Sequence, residues 1–469
     1  MPMIQLRNKK VGVIGLGLAG IATLKFLHKQ GAKAKGFGFA VPADLARAEK
    51  VLKGTGIDLV VDEARGSELL DSDLVVSTTG GKLFDPFVEA AKARRVPVLS
   101  DLELACHFYK APIIAVTGTN GKSSVMSMLK TLFEAAGKRL KLAGGDYSHF
   151  FEDISPVPDY HLLELSSTRL QKTTHFKPHV AIFLNLYPGH GERYETFQEY
   201  GLAKSRIFAE QGPEDALIYQ YSHDIVDLIR QVGTQARRFR FSLEREVRHG
   251  AFYSEADREI VYRYGEGNES RFSLKNYPLE GLHYVENLMA VICAAKFLKI
   301  PDDTIRATIP SMRPMPRRLE LFHKAEGVKF YDDSRSVNVA ATLQALSAFP
   351  DRSVILIAGG DFLRQQFYKA LRPMLETKVR CLIIFGQYRD KFFKLWKDTT
   401  EIFTVVDLEE AVKIAINSAE KGNNVLFSPA AKADRTVHAG DRKRSDVFRE
   451  TVLKNIGILQ TRRALNFRV

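Results

Sequence analysis

The chain has 469 residues, material for about three domains, and its 45% hydrophobic and 26% charged content is that of an ordinary globular protein rather than a disordered one. No apolar run reaches the roughly 18 residues of a membrane span, so no span is expected. Lys and Arg outnumber Asp and Glu by 68 to 55, a net charge of +13, but the basic residues are scattered rather than banded; this favours an acidic, phosphorylated substrate over a nucleic acid.

The first unit, expected over residues 1–108, opens with a buried strand at 11–14 that meets Gly15, Gly17 and Gly20. A helix follows, with apolar Ile21, Leu24 and Leu27. This is the G-x-G-x-x-G fingerprint of a Rossmann-type βαβ unit. A dinucleotide site also needs an acid about 20 residues on, and none stands before Asp44, so an NAD site loses its support. A turn that holds some other phosphate, at Gly15 and Gly17, or one that merely lets helix and strand pack closely, remains open. Further βα alternation runs through 58–61, 74–77, 86–93 and 96–99, and 101–110 reads as a hinge. The N-terminus MPMIQLRNKK leads straight into the first strand, so no secretory signal is expected there.

The second unit, expected over 109–314, begins with AVTGTNGKSSV at 115–125. Strand, glycine-rich turn, Lys-Ser and helix make a phosphate cradle. Gly118 and Gly121 let backbone N–H groups face the anion, the helix N-terminus adds its dipole, and Lys122 adds a charge. Ser123 would offer a hydroxyl to Mg²⁺. The strict P-loop pattern has a glycine where this chain has Val116, so by spacing alone the match is imperfect. Strands at 160–165 and 179–184 end in Glu164, Ser166 and Ser167, and in Asn185 and His190. In open α/β sheets, ligands gather beyond such ends. A helix over 196–211 presents Lys204, the stretch 216–274 reads as an antiparallel patch, and a helix over 283–298 closes the unit.

The third unit, expected over 315–469, has strands at 329–331, 353–358, 381–385 and 424–427, read as a parallel sheet, with a helix at 338–349. Its strand ends carry Asp332-Asp333-Ser334, Gly359-Gly360-Asp361 and Ser428-Pro429-Ala430. Cys106, Cys293 and Cys381 lack any CxxC spacing. They read as reduced thiols of a cytoplasmic protein, with no zinc site. No internal repeat is evident. The fold class is α/β throughout, with three units in series.

Taken together, TGTNGKSS, LELSS (163–167), NLYPGHGERYETFQEYGLAKSRIF (185–208), GLHYVEN, PRRLE and YDDSRSVN resemble, in that order, the motifs of the Mur ligase family. These are the ATP-dependent amino-acid-adding enzymes of peptidoglycan synthesis. The resemblance spans nearly the whole chain, and the GLGLAG unit with VPVLSDLELA looks most like the D-glutamate-adding branch. It implies a three-domain architecture: a Rossmann-like domain for the UDP-linked substrate, a P-loop-type ATPase domain and a Rossmann-like domain for the amino acid. The implied reaction joins D-glutamate to UDP-N-acetylmuramoyl-L-alanine through an acyl phosphate, using ATP and Mg²⁺. On matching positions it implies that Gly118, Thr119, Asn120, Gly121, Lys122, Ser123 and Ser124 hold the ATP phosphates, and that Asn287, Arg318 and Asp333 contact adenine, phosphate and ribose. Ser123, Glu164 and His190 would serve magnesium. Lys122, His190 and Lys204 would serve catalysis, Lys204 matching the lysine that the family carbamylates. A monomer that binds neither nucleic acid nor membrane is expected.

The departures cluster on the substrate side. One adenine-side Asn is Tyr284, the loop usually reading GGNIG is Gly144-Gly145-Asp146, and ELSSFQL has become ELSS with Thr168 and Arg169. In the third unit Val337, Leu363 and Ala433 stand where the family has hydrogen-bonding side chains for the amino acid. Arg335, Arg364, Lys432 and Arg435 are the candidates to replace that charge, since guanidinium grips carboxylate bidentately. Gly15 and Gly17 are the candidates for the UDP-linked substrate. Two other readings stand beside the ligase. One is a diverged Mur-type or folylpolyglutamate-type ligase for another amino acid. The other is a non-catalytic nucleotide- or muropeptide-binding homologue.

Overall fold

Runs of Val, Ile and Leu bounded by glycines and acids form three separate sheets in the computed structural model. It describes residues 4–38, 42–61, 63–78, 85–145, 147, 149–151, 156–188, 193–265, 267–279, 281–362, 365–432 and 443–457. The first sheet contains β1 (Lys10–Ile14), β2 (Lys33–Phe37), β3 (Asp58–Val60), β4 (Leu74–Ser77) and β5 (Val98–Ser100), in the order β3-β2-β1-β4-β5. All its pairings are parallel. The order reverses at β1, so the Gly15–Gly17 turn sits in the crevice where such sheets bind ligands. Gly15 adopts φ +103°, and a Cβ on Gly20 would lie 1.7 Å from the Gly15 carbonyl, which only a glycine at 20 permits.

The second sheet has nine strands: β6 (Ile113–Thr117), β7 (Leu140–Gly144), β8 (Tyr160–Glu164), β9 (Val180–Phe183), β10 (Ala216–Gln220), β11 (Arg237–Ser242), β12 (His249–Ser254), β13 (Glu259–Tyr264) and β14 (Glu269–Ser273). Their order is β14-β13-β12-β11-β10-β9-β6-β8-β7. The chain departs from β6 to one side and returns on the other, so the carboxyl ends of β8, β6 and β9 lie together. Parallel register sets Val116 opposite both Glu164 and Ile182. The expectation of an antiparallel patch over 216–274 needs correction. β10, β11 and β12 pair in parallel, the helix His223–Val232 lies between the first two, and only β12 to β14 form an antiparallel meander. The helix Lys122–Ala135 buries Val125, Met126, Leu129, Leu132 and Phe133 in the same core as the helix Leu282–Phe297. The latter is buried from Tyr284 to Ala295, which accounts for its apolar character on all faces. The helix read at 196–211 is shorter, Phe197–Ser205, capped by the Thr196 hydroxyl.

The third sheet is β15 (Glu320–Ala325), β16 (Val328–Asp332), β17 (Val354–Gly359), β18 (Val379–Phe385), β19 (Glu401–Val405) and β20 (Asn424–Phe427), ordered β15-β16-β20-β17-β18-β19. It is parallel except for β15, an antiparallel edge strand absent from the sequence reading. Between the first two sheets, the stretch 101–110 read as a hinge contains a short helix. The helix Asp101–Cys106 carries a full capping box between Ser100 and Glu103. The Glu103 carboxylate also accepts from Thr174 N at 2.5 Å and His175 N at 2.9 Å, tying the end of the first unit to the second. Among the described residues, no helix is long and apolar enough to cross a membrane.

Candidate functional site

The turn after β6 supplies the centre of the site. Gly118 has φ +153° and Gly121 φ +83°, the latter being the N-cap of the helix that begins at Lys122. A Cβ on Gly121 would come within 2.5 Å of Asn287 Oδ1, so the phosphate turn and the helix Leu282–Phe297 are in direct contact. Asn185, at the end of β9, clasps the turn. Its Oδ1 accepts from Asn120 N at 2.9 Å and its Nδ2 donates to Asn120 O at 3.2 Å. Thr119 is tied to Tyr187, whose backbone N donates to its hydroxyl at 3.0 Å, and the hydroxyl lies 3.2 Å from Tyr200 OH.

Two lysines share one carbonyl. Lys122 Nζ donates to Gly118 O at 2.9 Å and Thr119 O at 3.0 Å, and Lys204 Nζ donates to Gly118 O at 2.9 Å. Lys204 is 1% exposed and lies 4.6 Å from the centre of the Tyr200 ring. Burial, reinforced by Lys122, drives its ammonium well below the usual lysine range. Lys122 is also lowered, by burial and then by Arg318, against the opposing pull of Glu164. Ser123 Oγ donates to Glu164 Oε2 at 2.9 Å, so a hydroxyl and a carboxylate stand side by side at the mouth of the turn. A Cβ on Gly145 would fall 2.5 Å from Glu164 Cδ, so the glycine pair at the end of β7 leaves room for that carboxylate.

The third unit closes over this face. Arg318, largely buried, donates to Arg335 O at 3.1 Å, and Tyr284 OH donates to Arg318 O at 2.8 Å. Tyr284 therefore connects the second unit to the third. Asp333 is buried. Its Oδ1 accepts from Leu319 N at 2.9 Å and its Oδ2 from Ser428 Oγ at 2.8 Å. Burial nevertheless pushes its carboxyl up to about 6. Asn120, Gly121, Ser124, Asn287, Arg318 and Asp333 all line one cleft, whose free volume is about 40 Å³. It shares His283, Glu286 and Gln344 with an adjoining cleft of about 590 Å³. Glu286 accepts from Gln220 Nε2 at 2.5 Å, and burial raises its carboxyl to about 7.

The expected set is thus brought together in its ATP half: residues 118 to 124, Glu164, Lys204, Asn287, Arg318 and Asp333. Gly15 and Gly17 stand on the first sheet. Arg335 and Lys432 stand at the carboxyl ends of β16 and β20, where Asp361 N donates to Lys432 O at 2.9 Å. Asp146, His190, Leu363, Arg364, Ala433 and Arg435 lie outside the described residues. Arg169 pairs with Asp101 of the first unit and lies over the Phe150 ring. Sequence reasoning gave no role to Glu286, Gln220 or Asn338. Asn338 had one usable signal, its place just before an apolar helical run.

No group of three or more His, Cys, Asp or Glu side chains among the described residues could hold a metal ion. The Ser123–Glu164 pair presents oxygen atoms only, the donor type that hard cations take.

Two family models match, the Mur ligase middle domain over residues 116–295 and the Mur ligase glutamate ligase domain over 317–431. The UDP-N-acetylmuramoylalanine--D-glutamate ligase of Acidobacterium capsulatum is 32% identical over 464 residues, covering 97% of this chain and 98% of that one. The enzyme of the same description from Koribacter versatilis is 31% identical, covering 96% and 98%. Among solved structures, the MurF ligase of Thermotoga maritima in complex with ADP shares the fold with TM-score 0.61, at 17% identity and 98% coverage of both chains. The chain belongs to the Mur ligase family, with that family's three-domain α/β architecture.

Proposed function

We propose that this Mur ligase joins D-glutamate to UDP-N-acetylmuramoyl-L-alanine at the expense of ATP, in peptidoglycan synthesis. The observation that carries the reading is the convergence of Lys122, Ser123, Glu164 and Lys204 around the Gly118 turn, in a chain that aligns almost end to end with D-glutamate ligases. Its units are 1–108 for the UDP-linked substrate, 109–314 for ATP and 315–469 for the amino acid.

The chemistry follows from the side chains. A substrate carboxylate oxygen attacks the γ-phosphorus, the bond to the β-phosphate oxygen breaks, and ADP leaves. The amine nitrogen then attacks the acyl carbon, phosphate departs, and the amine's proton is released as the amide forms. Charge spreads over the phosphoryl oxygens, so catalysis is positioning and neutralisation. Lys122 has only carbonyls to give up and can turn to the β- and γ-phosphates. The amides of 118–123 and the helix N-terminus face the same anion. Ser123, Glu164 and His190 would hold Mg²⁺, which supplies further positive charge at the phosphates. Burial favours the neutral amine of Lys204. Capture of CO₂ would turn that neutral amine into a carbamate anion, with loss of one proton, and so give the site a negative charge to offer the Mg²⁺ that Ser123, Glu164 and His190 would hold. Asn287, Arg318 and Asp333 serve the adenine, a phosphate and the ribose. The adenine has little room in the 40 Å³ cleft itself and more in the adjoining cleft of about 590 Å³, which shares His283, Glu286 and Gln344 with it. Arg335, Arg364 and Lys432 serve the amino acid's carboxylates, and Gly15 and Gly17 the UDP moiety. We place the enzyme in the cytoplasm, as a monomer.

The test is ADP release with UDP-N-acetylmuramoyl-L-alanine and a panel of D- and L-amino acids. D-Glutamate should stimulate it most. Stimulation by another amino acid alone would replace the substrate but keep the chemistry, and stimulation by none would remove the ligase reading.

A further inference from the structure

Asn338 is the N-cap of the helix Val339–Ser347. Its Oδ1 accepts from Ala341 N at 2.9 Å, a bond that stabilises the third unit's own helix. The other end of the same amide leaves that unit. Asn338 Nδ2 donates to Asn120 Oδ1 at 3.2 Å, linking the third unit to the phosphate turn across 218 residues of sequence. Asn120 is 7% exposed and lines the nucleotide cleft. Its backbone is held on both sides by Asn185, so only its side-chain amide is adjustable. With Oδ1 occupied by Asn338, the group left over is Nδ2, a buried donor with no partner. A buried donor left unpaired costs free energy, and a phosphate or purine acceptor would relieve it.

We propose that Asn338 is a positioning residue. By taking the Asn120 carbonyl oxygen, it orients that amide so that the phosphate turn presents one more N–H to the bound nucleotide when the third unit is docked. The grip on ATP is thereby made contingent on closure. The inference rests on the nucleotide site proposed above but not on the identity of the amino acid.

The two ends of the Asn338 amide can be separated. Asp is as good a helix cap as Asn, so Asn338→Asp keeps the bond to Ala341 N. It cannot donate to Asn120, and as an acceptor it turns the Asn120 amide around, so that Oδ1 rather than Nδ2 faces the phosphates. Asn338→Ser also caps but is too short to reach Asn120. MgATP affinity is measured by calorimetry on the full chain, without muramoyl substrate or amino acid, alongside Tm. Both variants should keep the wild-type Tm. Asn338→Ser should bind MgATP about tenfold more weakly, the weight of one hydrogen bond to a charged ligand. Asn338→Asp should bind more weakly still. A plain charge repulsion is distinguished by repeating Asn338→Asp in the Asn120→Ala background, where the proposal requires most of the penalty to vanish. An undiminished penalty there, or wild-type binding by both variants, overturns the proposal. Tighter binding overturns it too, since the contact would then merely bar the cleft. If the wild type itself binds no MgATP, the nucleotide site falls together with this inference. Wild-type binding with indifferent variants sinks only the inference.

Discussion

Glu286 gives the sharpest quantitative test of the site's electrostatics. Its carboxyl lies in the buried helix Leu282–Phe297, 8% exposed, and is raised from an ordinary 4.5 to about 7, chiefly by burial and partly offset by the bond from Gln220. At about 1.4 kcal/mol per pH unit, the rise corresponds to about 3 kcal/mol. The native state holds the proton more tightly than the unfolded one. The contribution is therefore fully present below about pH 4.5 and is lost as pH rises through about 7. Glu286→Gln keeps a carbonyl oxygen for Gln220 and removes the titration. Urea unfolding of both proteins at half-unit steps from pH 5 to 8 should show the wild type losing up to about 3 kcal/mol more than the variant over that range. Asp333, raised by burial to about 6, contributes a parallel fall that both proteins share, so the difference isolates Glu286. Parallel stability curves would refute the reasoning, because they would mean that Glu286 ionises in the native state as readily as in water.

Three further outcomes are expected. Glu103→Ala removes the acceptor for the amides of Thr174 and His175 as well as half of a capping box; it should cost about 3 kcal/mol and expose 101–112 to limited proteolysis, which an unchanged cleavage pattern would contradict. Gly145→Ala places a methyl 2.5 Å from Glu164 Cδ and should raise the Mg²⁺ concentration needed for half-maximal ADP release at least fivefold, while circular dichroism stays unchanged; an unaltered Mg²⁺ titration would separate Glu164 from the metal. Lys204→Met replaces a buried polar amine by an apolar chain of similar length, so Tm should hold or rise while ADP release falls by at least a hundredfold. Retained turnover in that variant would leave Lys204 without a chemical role.

What the sequence disclosed was what is local or periodic. Lys122 and Ser123 follow a strand and two glycines, and Glu164 ends an apolar run, so strand and turn chemistry placed them before any coordinates. The edge strand β15 escaped because Glu320–Ala325, ELFHKA, is partly exposed along most of its length and carries no clean alternation. The parallel pairing of β10 and β11 escaped for a different reason. Strand runs separated by short turns look like hairpins until the helix His223–Val232 is recognised as a crossover. The polar links that complete the site, Asn185 to Asn120, Gln220 to Glu286 and Asn338 to Asn120, join residues 65 to 218 positions apart, and no pattern along the chain announces them. Tyr284 looked like the loss of a nucleotide contact. Its hydroxyl instead reaches Arg318 O, a use legible only once two units are seen side by side.

The carbonyl of Gly118 has a consequence for how the protein is made. Ser123 waits 41 residues for Glu164, Gly118 waits 86 for Lys204, and Asn120 waits 218 for Asn338. A ribosome therefore releases the phosphate turn long before the groups that discipline it, and domains emerging from synthesis fold in that order. A chain stopped just after the helix Lys122–Ala135 can shape the turn from β6 and that helix, yet it lacks the carboxylate, the second lysine and the closing amide, and a half-made chain still lacks the last. On the site proposed above, the last of these groups, Asn338, arrives only with the final third of the polypeptide.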